Sequence, residues 1–241
     1  ADPKVVPRRG QREKRAEEAP HTGETRAMAM FQAIKDAQEL ALELDENVIF
    51  LGEDIGASGG VFRCFQGMQA KWGERVRPTP IAEQAIIGAA TGSALLGMRP
   101  VAEIMFCDFM GVCLDQVVNH AAKQRYMSGG ATHVPMTIRT VAGGGIGGFG
   151  AQHSQSTEAW LLHTPGLKIV YPSTPSEAKG LLLSCIFDED PCIQFESMML
   201  TYSTKEEVPL GDYRIPLGVA KVKREGTDIT LITYGWQVMQ C

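Results

Sequence analysis

Glu83 stands where a carboxylate has no evident partner. It lies near the head of TPIAEQAIIGAATGSALLGMRP, residues 79–100, a stretch otherwise apolar and studded with glycine. A buried acid is costly unless it is neutralised or hydrogen-bonded. One reading makes it part of a helix start, with Thr79 as N-cap and Pro80 at the first helical position. A capping-box acid falls three residues after the cap, however, and Glu83 falls four after it, so only a dipole contribution of about 0.3–1 kcal/mol remains. The other reading is proton transfer. Gly88, Gly92 and Gly97 each cost a helix roughly 1 kcal/mol relative to alanine, which predicts that another backbone or a ligand packs closely there. An acid kept dry beside such a surface is suited to exchanging protons.

TVAGGGIGGFGAQHSQS, residues 140–156, is the second candidate. Gly143, Gly145 and Gly148 formally make a GxGxxG after an apolar strand. A dinucleotide site also needs a helix opening at the third glycine and an acid about 20 residues on; here QHSQS interrupts and position 168 is lysine. The glycines are better suited to carrying His153, between two amides and a hydroxyl, on a closely approaching loop where it can act as acid or base. A third candidate is EIMFCDFMG, residues 103–111. Phe106 and Phe109 either pack in the core or offer a ring to a flat heterocycle at the carboxyl end of a strand.

The elements that must position these residues follow from hydrophobic patterning. Residues 1–25 are charged and proline-bearing with almost no large apolar groups, and read as a disordered tail. A helix is predicted over 26–44, with Met30, Ile34, Leu40 and Leu44 on its apolar side. Apolar strands at 47–54, 99–106, 134–142, 166–173 and 190–197 then alternate with helices at 82–97, 109–127 and 175–187. That alternation predicts an α/β fold, a mostly parallel sheet with helices on both faces. Residues 198–226 read as a connector ending in a hairpin within YRIPLGVAKVKREG. TDITLITYG, residues 227–235, reads as the first strand of a second unit, cut short. Residues 26–197 are thus expected to form one domain and 227–241 the truncated start of another.

Composition narrows the classes. With 44% hydrophobic and 21% charged residues the chain can form a full core. A net charge of −5 argues against nucleic acid or an anionic membrane as partner. The six cysteines show no zinc spacing and no disulfide framework, so free thiols in a reducing cytoplasm are expected. No apolar run approaches the ~20 residues of a membrane span.

GEDIG (52–56), TPIAEQAIIGAATGSALLGMRPVAEIMFCDF (79–109), LDQVVNHAAKQRYMSGG (114–130), GAQHSQS (150–156) and PGLKIVYPSTPSEAKGLL (165–182) together resemble the beta subunit of thiamine-diphosphate-dependent 2-oxoacid dehydrogenases, the pyruvate, branched-chain 2-oxoacid and acetoin complexes. The resemblance implies a transketolase-like pyrimidine-binding domain followed by the start of a transketolase C-terminal-like domain. It implies that Glu83 hydrogen-bonds the aminopyrimidine of thiamine diphosphate, that Phe109 lies against that ring, and that His153 handles a proton when the acyl group passes to a lipoyl arm. It further implies a potassium site at Met136, Cys185, Asp188 and Asp190. The family's magnesium-binding GDG…N segment is missing here, so Mg2+ ligands are expected on an alpha subunit, with the cofactor bridging two chains of an α2β2 heterotetramer docked on a lipoyl acyltransferase core. Substrates would be a 2-oxoacid or acetoin, with MFCDFMGVCLDQVVNHAAKQRYM leaning toward the pyruvate and acetoin members. The compartment would be the bacterial cytosol, or the mitochondrial matrix in a eukaryote. Two rivals stand beside this reading: a non-catalytic assembly subunit, and an NAD-dependent oxidoreductase using the glycine loop.

Overall fold

A computed structural model describes residues 23–144 and 149–241. Its centre is a six-stranded, wholly parallel sheet. The strands are β2 (Val48–Glu53), β3 (Val76–Thr79), β4 (Arg99–Phe106), β5 (Thr137–Ala142), β6 (Lys168–Val170) and β7 (Cys192–Ser197), in the order β3-β2-β4-β5-β7-β6. An antiparallel pair, β1 (Thr25–Ala29) with β8 (Lys205–Pro209), flanks it.

Helices cover both faces because the central strands are apolar on both. On one side α1 (Met30–Leu44) and α7 (Pro175–Ile186) pack with Phe50, Val101 and Val141. On the other, α3 (Glu83–Leu95) and α4 (Met110–Asp115) pack with Ala102, Ile104, Ile138 and Phe195. α7 starts where its sequence says it should: the Thr174 hydroxyl accepts the Glu177 N–H and Pro175 fills the first helical position. Burial of Leu182, Leu183 and Ile186 then stabilises it by roughly 1.5–3 kcal/mol per side chain. Short helices α2 (Met68–Trp72), α5 (Gln124–Met127), α6 (Glu158–Leu162) and α8 (Met198–Ser203) complete the chain. No helix among the described residues is long and apolar enough to cross a membrane.

Several expectations need correction. The first helix begins at Met30, because residues 25–29 pair with β8. Its buried face is Met30, Ala33, Ile34, Ala37, Gln38, Ala41 and Leu42, and Leu44 is exposed. The helix expected over 109–127 is a broken run: α4 passes through a wide turn at 116–120 and a tight turn at 121–123 before α5. Residues 213–226 form no hairpin and 227–235 no strand; Ile229 and Ile232 are 77% and 93% exposed. Alternating apolar residues without a neighbouring strand have nothing to pair with, and a lone hairpin is marginal in water.

Candidate active site

The strand order reverses around β2, which lies between β3 and β4 although the chain visits β3 first. The crevice outside the carboxyl ends at such a point is where α/β sheets bind ligands. Five side chains singled out by position converge there. Glu53 ends β2, and Glu83 opens α3 just after β3, whose Thr79 is in register with Glu53. Phe106 ends β4, with Phe109 one turn beyond, and His153 follows β5.

Glu83 is 8% exposed, and the described residues give its carboxylate neither a hydrogen bond nor an ion pair. The predicted cap is absent. Thr79 belongs to β3 and its hydroxyl is buried without a partner among the described residues, while Ala82 precedes the helix with no side-chain cap. Glu83 is the first helical residue, so the helix dipole favours its charge. Two neighbours register that charge. Burial pushes the Glu53 carboxyl above the ordinary range, and the Glu83 and Asp54 charges push it further. Burial, and then the Glu83 charge, raise the Cys113 thiol to about 12. Cys113 lies on α4 with its Sγ 3.8 Å from the Phe109 carbonyl oxygen. Glu83 therefore faces the start of α4, where Phe109 is held.

The glycines of α3 behave differently from expectation. Gly97 lies beyond the helix end at φ +96°, a left-handed conformation suited to a helix stop. A Cβ on Gly92 would meet nothing, and only Gly88 faces a neighbour, Gln116.

His153 sits between two rings. Its imidazole is 5.1 Å from Phe106 and 5.1 Å from Phe109, edge-on to both, and Phe149 is 6.1 Å from Phe106. The loop comes so close to β5 that a Cβ on Gly143 would lie 2.2 Å from the His153 carbonyl oxygen. Gly145 and Gly148 of the formal GxGxxG lie outside the described residues. No helix follows the motif directly: α6 begins only at Glu158. The dinucleotide reading loses its helix N-terminus.

The residues mapped to potassium lie elsewhere, at the amino ends of β5 and β7. The Asp188 carboxylate receives the Lys168 ammonium on both oxygens at 2.7 Å, and Asp190 pairs with Arg125 at 2.5 Å. The Met136 and Cys185 carbonyls accept the N–H groups of Cys192 and Asp188. Each of these residues already has a partner within the chain. Among the described residues, no three His, Cys, Asp or Glu side chains come together as a metal site.

A buried ionic cluster escaped sequence reading. Arg139, on β5, is 1% exposed; it donates to Glu196 on β7 through two bonds of 2.8 and 2.7 Å, to Glu103 on β4 at 2.9 Å and to Gln38 on α1 at 2.8 Å. Burial raises Glu103 to about 7, with Arg139 opposing and Glu196 adding to the rise. The only sequence signal is three charges set inside three otherwise apolar strands. A carboxyl whose folded value is raised contributes stability fully below its unfolded value of about 4.5, and that contribution is lost as pH rises through about 7. Glu103→Gln is expected to flatten stability between pH 5 and 8, by about 2 kcal/mol across the window. Urea midpoints at several pH values check this, and an unchanged slope would contradict it.

Residues 26–202 match the transketolase, pyrimidine binding domain family. Across 223 residues the chain is 49% identical to the mitochondrial 2-oxoisovalerate dehydrogenase subunit beta of Dictyostelium discoideum, covering 92% of this chain and 60% of that protein. It is 49% identical over 212 residues to the pyruvate dehydrogenase E1 component subunit beta of Bacillus subtilis, covering 88% and 65%. The chain thus spans a little under two thirds of these relatives. Transketolase from Leishmania mexicana superposes with a TM-score of 0.57 over 79% of this chain and 27% of that one, at 17% identity, a likeness of fold. A parallel sheet whose acid and aromatic residues gather at the reversal point, together with the match over residues 26–202, places the chain in the transketolase pyrimidine-binding domain family.

Proposed function

We propose that the chain contributes the pyrimidine-binding half of a thiamine-diphosphate-dependent 2-oxoacid or acetoin dehydrogenase, with an alpha subunit supplying the Mg2+ and diphosphate half and a lipoyl acyltransferase receiving the product. The observation that carries this reading is Glu83: a nearly buried carboxylate, without a hydrogen-bond partner among the described residues, at the mouth of the crevice. An aminopyrimidine nitrogen would satisfy it. The donor set suits that group, since an acid, a half-buried phenyl ring and an imidazole border one edge of the sheet. Thiamine diphosphate, when bound, supplies the electron sink for breaking a carbon–carbon bond beside a carbonyl.

The chain's own residues do the rest. Glu83 holds a proton at the ring nitrogen, and its dry surroundings keep water from competing for it. Burial, and then the Glu83 charge, raise the neighbouring Glu53 carboxyl above its ordinary range. Phe109 offers a flat apolar face that fixes the ring's tilt. His153, on a loop pressed against β5, gives or takes a proton as the acyl group leaves for the lipoyl arm. Identity to the branched-chain and pyruvate relatives is equal at 49%, so the lean toward pyruvate or acetoin gains no support from it.

His153→Ala tests the division of roles in the β chain reconstituted with its α partner. Transfer to lipoyl domains is expected to fall about 10²-fold or more, while oxidation coupled to an artificial acceptor stays within about twofold. Equal losses in both assays would contradict it.

A further inference from the structure

The imidazole of His153 is flanked by rings, which fix its plane weakly, so its aim depends on where the loop backbone is held. That backbone is tied to the turn carrying both rings. Asp108 lies between Phe106 and Phe109, and its Oδ1 accepts the Gln155 Nε2–H at 2.8 Å and the Gln155 backbone N–H at 3.3 Å. The Gln155 carbonyl in turn accepts the Gly144 N–H at 3.1 Å, and the Thr157 hydroxyl donates to the Cys107 carbonyl at 3.0 Å. Residues 155 and 157 are thereby stapled to 107 and 108 on one side and to the end of β5 on the other. His153 lies two residues before the staple.

A simpler role for Asp108 would be to cap α4. Its oxygen is directed to the loop instead, and α4 has no side-chain cap. Hydrogen bonds to an ionised carboxylate are roughly twice as strong as neutral ones, and a misplacement of about 1 Å in a reacting group can cost 10²-fold in rate. We propose that Asp108 is the positioning residue for His153, acting through Gln155 to set where the imidazole points during acyl transfer. This rests on the role given to His153 above.

The test uses the reconstituted α/β enzyme and two assays, acyl transfer to a lipoyl domain and oxidation coupled to an artificial acceptor. Asp108→Ala is expected to lower transfer about tenfold with less than about a twofold change in the acceptor assay. On a His153→Ala background the same substitution should cost less than about a further twofold, because both act through one group. The exchanged pair Asp108→Asn/Gln155→Glu, in which an amide at 108 donates to a carboxylate at 155, should recover most of the transfer rate. Equal losses in both assays, full additivity with His153→Ala, or no recovery in the exchanged pair would overturn the proposal. If His153→Ala is selective for transfer and Asp108→Ala is not, only the positioning role fails. If His153→Ala is itself unselective, the histidine's role fails and the proposal falls with it.

Discussion

Glu83→Gln in the reconstituted α/β enzyme is expected to lower turnover by about 10²–10⁴-fold, the range associated with loss of a positioned acid or base. The amide keeps the shape of the carboxyl group and can still hydrogen-bond a ring, but it cannot hold or release the proton. Stability should change little, because two effects oppose each other. A charge at the first residue of α3 favours the folded chain by about 0.3–1 kcal/mol through the helix dipole. Its removal also relieves the repulsion that helps push Glu53 upward. A normal thermal midpoint with turnover lost would separate chemistry from folding. Retention of most of the activity would contradict the role of Glu83.

The second large effect concerns stability. Arg139→Met leaves Glu103 and Glu196 facing one another inside the sheet with the shared cation gone. Removing one partner of a buried ion pair costs about 3–5 kcal/mol, and because Arg139 holds the Glu103 carboxyl down, its removal pushes that carboxyl further up, so the deficit relative to the unsubstituted chain should deepen above pH 7. Neutralising both acids as well, in Glu103→Gln/Arg139→Met/Glu196→Gln, should recover most of it, since the penalty comes from the unpaired charges. Urea unfolding at pH 7.5 measures both variants. A loss under about 1 kcal/mol for Arg139→Met would contradict the buried geometry. The same strands bear Phe106 and lead into the His153 loop, so weakened pairing here should loosen the site.

Much of the sheet was legible because its strands are buried on both faces and read as apolar runs. Residues 99–106 were bounded as they fold, and β2, β5 and β7 differ from expectation by a few residues at their ends. The elements that escaped are those whose sequence carries no such run. TRAMA and KEEVP pair with each other across 180 positions and mark neither as a strand. VRPT is a four-residue strand containing proline at the sheet edge. In the site, Glu83 stood out because it was a single acid in an apolar stretch. Glu53 did not, although GEDIG contains it, because its relation to Glu83 arises only when β2 and β3 align. The Arg139 cluster was invisible for the same reason: charges on β4, β5 and β7 become partners through register, which sequence spacing does not encode. The helix cap at Thr79 failed because β3 claimed that residue first.

The most direct test is a crystal structure of the paired α and β chains with thiamine diphosphate bound. The Glu83 carboxylate is expected within hydrogen-bonding distance, about 2.6–3.2 Å, of an aminopyrimidine nitrogen, with the Phe109 ring against the same heterocycle. An aminopyrimidine bound away from the carboxyl ends of β2 and β4, or a Glu83 side chain turned to bulk solvent in that complex, would contradict it.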